Sequence, residues 1–335
     1  MTPASPHTPL MFGIFPSGAS ATDPVSPDDP DRTEHALTML TSGTRCPFRI
    51  RVYAEYHGAP CDQTADHLTP PAFARHVHGR RRLDLVVQFQ SEQGDVDGFA
   101  EHIRRLVNSH GHLLDTLQVT EEANVTGGYG LDGDFPRVRE ALVAGVLAAH
   151  DAAEGLSDAE IRVGFNVTPP AHGDDFFARV GELGGRRWTA AVDFVGLDCF
   201  PDVWDHPVAD DGSPGDAGDA MVEAVRWLRD VEMPAAGLGA GVPIIVTEHG
   251  WPTGPGRSPR RQASVLERVV RALHAHRVEL NVTGYTHFAL RDADSAGDDL
   301  FDQFGLMWDD YTPKPAFETY RRLIAELGDP ESHHR

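Results

Sequence analysis

The stretch PIIVTEHGWPTG, Pro243 to Gly254, runs a β-branched apolar segment into a carboxylate and then breaks into Gly and Pro. A short apolar run closed by turn residues is the mark of a strand buried on both faces, as in a parallel sheet covered by helices. Seven more such runs occur: MFGIF (Met11–Phe15), FRIRVY (Phe48–Tyr53), LDLVVQF (Leu83–Phe89), LQVTE (Leu117–Glu121), IRVGFNV (Ile161–Val167), VDFVGLD (Val192–Asp198) and VTGYTHFAL (Val282–Leu290). Between most of them lie segments with apolar residues three or four apart, among them VDGFAEHIRRLVNSH, FPRVREALVAGVLAAHDAAEG, AMVEAVRWLRDVE and RRQASVLERVVRALHAH, which read as amphipathic helices. Alternating strands and helices predict an α/β fold, and eight units predict one (β/α)8 TIM barrel over residues 1–335, with 1–9 and 330–335 as disordered tails. The rival open sheet calls for a Gly-rich turn after its first strand, and FGIFPSGAS lacks that spacing.

Composition narrows the partners. The chain has 29 Lys plus Arg against 51 Asp plus Glu, a formal charge of -22, which repels phosphate backbones and anionic lipid. Neither nucleic acid nor a membrane is expected as a partner. Cys46, Cys61 and Cys199 are odd in number and lack metal-ligand spacing, so neither a disulfide framework, a zinc site nor any other metal is expected. The first residues show no basic segment followed by a long apolar run, which reads as a cytoplasmic protein; Asn124, Asn166 and Asn281, each in an Asn-x-Thr sequon, then read as turns at strand ends. The histidines of HVHG (His76–Gly79) and the run GRRRLD read as solvated surface, and SATDPVSPDDPD (Ser20–Asp31) and VADDGSPGDAGDA (Val208–Ala220) as loops, the second mobile. Lys314 is the only lysine.

In such a barrel the chemistry belongs to the C-terminal ends of the strands, where side chains converge on one open mouth. Strand four ends in LQVTEEANVTG, with Glu121 and Glu122, and strand seven in PIIVTEHGWPTG, with Glu248. These strands face each other across the mouth, so one carboxyl from each can flank a sugar, the arrangement that glycoside hydrolysis needs. One carboxyl must be ionised and the other must keep a proton to give to the leaving oxygen. Arg51, in FRIRVYAEYHG at the end of strand two, is the candidate for holding Glu248 ionised. Trp204, Trp251 and Phe288 read either as packing residues or as platforms for the apolar face of a sugar ring.

These segments resemble clan A of the glycoside hydrolases, the retaining (β/α)8 enzymes. VTEHGWPTG is similar to the clan's nucleophile segment, closest to the TE-x-GWP form of plant-type endo-beta-glucanases, and FDQFGLMWDDYTPKPAFETYRRLIAEL is similar to the closing segment of many members. The resemblance implies a cofactor-free hydrolase acting on a β-linked carbohydrate substrate, with Glu248 as nucleophile and Glu122 as acid/base. It places Glu121 where the clan carries an Asn that bonds the sugar 2-hydroxyl. It also places Phe200 near where many members carry a Tyr that bonds the nucleophile, a role open to Tyr53 or Tyr285. Asn124, Asn166 and Asp198 complete the expected substrate contacts. The alternative is a barrel of the same fold that binds carbohydrate without turning it over.

Overall fold

The computed structural model describes residues 9–19, 25–42, 44–58, 68–128, 130–156, 160–204 and 216–328. Cys61, residues 1–8 and 330–335 of the expected tails, and residues 20–24 and 208–215 of the two expected loops lie outside the described residues. The strands are β1 (Met11–Ile14), β2 (Phe48–Tyr56), β3 (Arg81–Phe89), β4 (Leu114–Val119), β5 (Arg162–Val167), β6 (Phe194–Asp198), β7 (Ile244–His249) and β8 (Val282–His287). Each runs parallel to its neighbours, and β1 pairs with both β2 and β8, so the sheet closes into a (β/α)8 barrel. Leu68–Thr69 adds a short antiparallel pairing to β2.

The helices are α1 (Pro30–Thr41), α2 (Val96–His110), α3 (Val138–Glu154), α4 (Phe176–Ala191), α5 (Ala217–Trp227), α6 (Pro259–His276) and α7 (Pro315–Leu327). Local chemistry starts them: Asp29, Asp95 and Ser258 each accept a backbone N–H of the first turn, and α1, α6 and α7 open on proline. Between β2 and β3 the described residues hold a 3-10 turn, Phe73–Arg75, and no helix longer than that. One expectation needs correction. Residues 217–220, read as loop, already belong to α5, because Asp216 caps it through Gly218 and Asp219.

Alternation along the strands divides their side chains between two environments. Ile50, Leu85, Leu117, Phe165, Leu197 and Val246 face the helices and join one continuous core. Their neighbours Arg51, Asp84, Gln118, Asn166 and Asp198 point into the barrel, where they hydrogen-bond across it. The GRRRLD and HVHG stretches are only in part the solvated surface expected of them: His78, Gly79, Arg80 and Arg82 are exposed. Arg81 and His76 are buried and, with His78, converge on Glu34 of α1. Burial pushes the Glu34 carboxyl up, but Arg81 and the two imidazoles outweigh it and bring it to about 2.

The one lysine is also buried. Lys314 Nζ donates to Asp292 Oδ1 at 2.6 Å, Thr253 Oγ1 at 2.9 Å and the Gln303 carbonyl at 3.4 Å, which uses its three protons and fixes the loop after β8. Burial pushes Asp292 up to about 6 even with the ammonium beside it. Lys314→Met should therefore cost about 3–5 kcal/mol in a denaturant titration, since it leaves a buried carboxylate unpaired. The cost should be smaller at pH 5 than at pH 8, because unpaired Asp292 takes up a proton as the pH falls. A loss below about 1 kcal/mol at both values would mean that the pair is worth no more than a surface one.

Candidate active site

The site is assembled around one guanidinium. Arg51 on β2 is fully buried and reaches side chains of three other strands or the turns that follow them, β3, β4 and β7. Nε donates to Tyr53 Oη at 2.8 Å and Glu248 Oε1 at 3.2 Å; Nη1 donates to Asp84 Oδ2 at 3.1 Å and Gln118 Oε1 at 3.2 Å; Nη2 donates to Gln118 Oε1 at 3.2 Å and Glu121 Oε2 at 3.5 Å. The register dictates part of this, since Arg51 lies beside Asp84 and Asp84 beside Thr116, whose hydroxyl donates to Asp84 at 2.7 Å. Burial works against the charge on Arg51, but the phenol of Tyr53 and the carboxyls of Asp84, Glu121 and Glu248 raise its pKa well above the ordinary value.

Glu248 reaches the mouth because β7 is irregular. Leu197 pairs with Val246 and Asp198 with Glu248, which leaves Thr247 as an extra residue. The bulge suspends the alternation, so two consecutive side chains can point inward. Thr247 Oγ1 donates to Asp198 Oδ1 at 2.6 Å, and Glu248 Oε1 accepts from Arg51 and from the Tyr53 hydroxyl. Asp198 Oδ2 accepts from the Asn166 amide.

Strand four stops at Val119, two residues short of the expected end, and both glutamates sit in the turn beyond it. Thr120 and Glu122 have φ of 67° and 48°, a left-handed conformation that costs non-glycine residues about 1–3 kcal/mol each unless surrounding contacts hold it. The contacts are consecutive. Thr120 N–H donates to the Val87 carbonyl at 2.9 Å, Glu121 N–H to Asp132 Oδ2 at 2.8 Å and Glu122 N–H to Asn166 Oδ1 at 2.8 Å. The result places the two carboxyls in unlike surroundings. Glu121 is buried and accepts from Gln118 Nε2 at 2.7 Å as well as from Arg51. Glu122 is half-buried, and its carboxyl has no hydrogen-bond partner among the described residues.

Negative charge is in excess here. Oxygens of Glu121, Asp198 and Glu248 lie within 4.8 Å of one another. Burial, then Glu248 and Asp198, push the Glu121 carboxyl well above its ordinary range; burial and Glu248 do the same to Asp198. Burial, then Asp198 and Glu248, raise Glu122 in the same way. The spacing of the three oxygens is one that a cation could use, although Arg51 already supplies positive charge to two of the three residues. His150, Asp151 and Glu154 on α3 are also close enough to share an ion, but Asp151 is paired with Arg187.

The other expected contacts divide. Tyr53 takes up the bond to Glu248, whereas Tyr285 is buried beneath the mouth, bonded to His249 Nδ1 at 2.6 Å, and does not meet Glu248. Asn124 is occupied at both ends by Thr168, so it ties two loops together instead of offering its amide to a ligand. Trp251 is 2% exposed, with Arg257 and Arg261 over its ring at 4.7 and 5.2 Å, so it is a packing residue. Phe288 is buried against Phe15, Phe200 and Phe304. Trp204 is 48% exposed and rests on Phe200, Phe301 and Phe304. Asp84, Gln118, Thr247 and Asp132 were missed. A polar residue at an inward position of an apolar strand was the available signal for Asp84 and Gln118.

No family model matches the chain, and no curated protein sequence does. Solved structures match its fold. A family 39 glycoside hydrolase from the gut symbiont Bacteroides cellulosilyticus WH2 is 16% identical, with a TM-score of 0.63 over 96% of this chain; the chain spans 65% of that protein's length. A GH5_18 protein from Streptomyces cattleya, solved in complex with GlcNAc, is 16% identical with a TM-score of 0.61, covering 96% of this chain and 80% of that one. A beta-glucosidase is 17% identical with a TM-score of 0.57, covering 93% and 92%. At this identity the likeness is one of fold, a barrel common to several kinds of glycoside hydrolase.

The charge excess has a measurable effect on stability. Glu121 is ionised in the unfolded chain above pH 4.5 but protonates more readily when folded, so folding takes up a proton and stability falls as pH rises above the unfolded value. Glu121→Gln should raise Tm at pH 8 and leave it unchanged at pH 4. A lower Tm at pH 8 would show instead that ionised Glu121 stabilises the barrel as the partner of Arg51.

Proposed function

We propose that the protein is a retaining glycoside hydrolase that cleaves a β-linked glycan or glycoside, with Glu248 as nucleophile and Glu122 as acid/base. What carries the reading is the contrast between these carboxyls. Glu248 accepts from both Arg51 and Tyr53 at one oxygen, whereas Glu122 is half-buried, has no hydrogen-bond partner for its carboxyl among the described residues, and is pushed toward the protonated form by burial and by Asp198 and Glu248. Glu248 attacks the anomeric carbon as the bond to the leaving oxygen breaks, and that oxygen takes the Glu122 proton. Glu122 then removes a proton from water, whose oxygen attacks the same carbon and frees Glu248.

Glu121 fits the same scheme when protonated. A carboxylate only accepts hydrogen bonds, but a carboxylic acid can also donate one, so protonated Glu121 can act on a sugar hydroxyl as an amide would. Tyr53, whose hydroxyl burial keeps protonated, and Arg51 hold Glu248 in place. Trp204 supplies a stacking face at the rim. The likeness of Val246–Gly254 to the endo-beta-glucanase segment supports a β-linked glucan as the first substrate to try.

Activity on paired substrates tests the assignment. Glu248→Ala should fold normally and lose several orders of magnitude in rate. Glu122→Ala should cripple cleavage of an oligosaccharide but spare glycosylation by a dinitrophenyl β-glycoside, whose leaving group departs without a proton. Azide should then restore turnover and yield a β-glycosyl azide. Rescue in Glu121→Ala instead would move the acid/base by one residue. Binding without cleavage by the wild type would replace the hydrolase reading with that of a carbohydrate-binding barrel.

A further inference from the structure

The turn that carries both glutamates has no glycine at its left-handed positions, Thr120 and Glu122, and so depends on outside contacts for its shape. One contact comes from a residue eleven positions further on. Asp132 is fully buried, and its Oδ2 accepts two backbone N–H groups, that of Glu121 at 2.8 Å and that of Phe89, at the end of β3, at 2.6 Å. Its own N–H returns to the Glu121 carbonyl at 3.3 Å, so Asp132 and Glu121 clasp each other in both directions. Its second oxygen, Oδ1, is buried without a partner. Asp134, two residues along, gathers the next segment by accepting from Gly127, Gly128 and Gly130. The space between is tight, since a Cβ on Gly133 would lie 1.9 Å from the Val125 carbonyl oxygen.

We propose that Asp132 is a positioning residue for the acid/base turn: by holding the Glu121 and Phe89 amides on one oxygen it sets the direction in which Glu121 and Glu122 face Glu248. The inference rests on the hydrolase reading for its kinetic consequence but not for its geometry. Asp132 touches neither substrate nor reacting atoms in this scheme. A carboxylate is not required for the clip, because both amides use the same oxygen; an asparagine can present its carbonyl there. Burial pushes the Asp132 carboxyl up to about 7, against the pull of the two amides, so the neutral isostere carries less of that penalty.

The test compares three variants. Asp132→Asn should keep kcat/KM within about threefold of wild type on oligosaccharide and dinitrophenyl β-glycoside alike. Asp132→Ala should lose about 10-fold to 100-fold on the oligosaccharide, and at least about fivefold less on the activated glycoside, because a misdirected Glu122 matters most when the leaving group needs its proton. Equal losses on both substrates would reduce Asp132 to a structural residue and overturn the proposal. If the alanine variant does not fold, Asp132→Glu, which displaces the carboxyl by one methylene, should show the same unequal losses. If the wild type cleaves nothing, the hydrolase reading has failed, and a crystal structure of Asp132→Ala, or of Asp132→Glu if the alanine variant does not fold, decides the clip by itself. A Glu121 carboxyl still seated on Arg51 and Gln118 in that structure would overturn the proposal.

Discussion

A single guanidinium shared among several acids is the constraint on which the mouth of this barrel depends. Arg51 must satisfy Asp84, Glu121 and Glu248 from inside a layer that similar barrels fill with branched apolar side chains. Two like charges less than 5 Å apart repel by about 3 kcal/mol even at an effective dielectric near 20, so one cation cannot keep all its neighbours ionised. Protons must fill the deficit, and burial together with the neighbouring carboxyls pushes Glu121, Glu122 and Asp198 toward taking them. Acid and base roles can thus be separated among residues of the same chemical type.

The backbone pays for this arrangement at two places. A regular β7 could turn either Thr247 or Glu248 inward but not both, and the bulge lets Thr247 serve Asp198 while Glu248 serves Arg51. A regular end to β4 would send Glu121 and Glu122 to opposite sides. The left-handed turn keeps both near the mouth, one turned down into the charged layer and the other left half-exposed.

Both irregularities mark the limit of what the sequence discloses. The barrel was legible because short apolar runs and helical patterns alternate through almost the whole chain, and the place of Glu248 at the mouth because it ends one of those runs just before Gly and Pro. The pairing of Arg51 with Glu248 followed from their places at strand ends. The bulge has no such signature, since VTEHG contains neither a glycine nor a proline at the irregular position. The loop clasp of Asp132 on Glu121 depends on a fold-back of eleven residues that no local pattern encodes. Trp251 misled for another reason: an aromatic beside a strand-end carboxylate looks like a sugar platform, and only its burial and the guanidinium groups of Arg257 and Arg261 over the ring show that it is packed.

Lys314 gives the molecule an unusual chemical property. Its amine is the only one that any lysine of this chain offers, and in the folded barrel all three protons are engaged and shielded from solvent. Acylating reagents therefore find no reactive lysine until the segment joining β8 to α7 opens. The rate at which residue 314 becomes labelled is then a clock for that opening, read by mass spectrometry at one site and against a background free of other lysines.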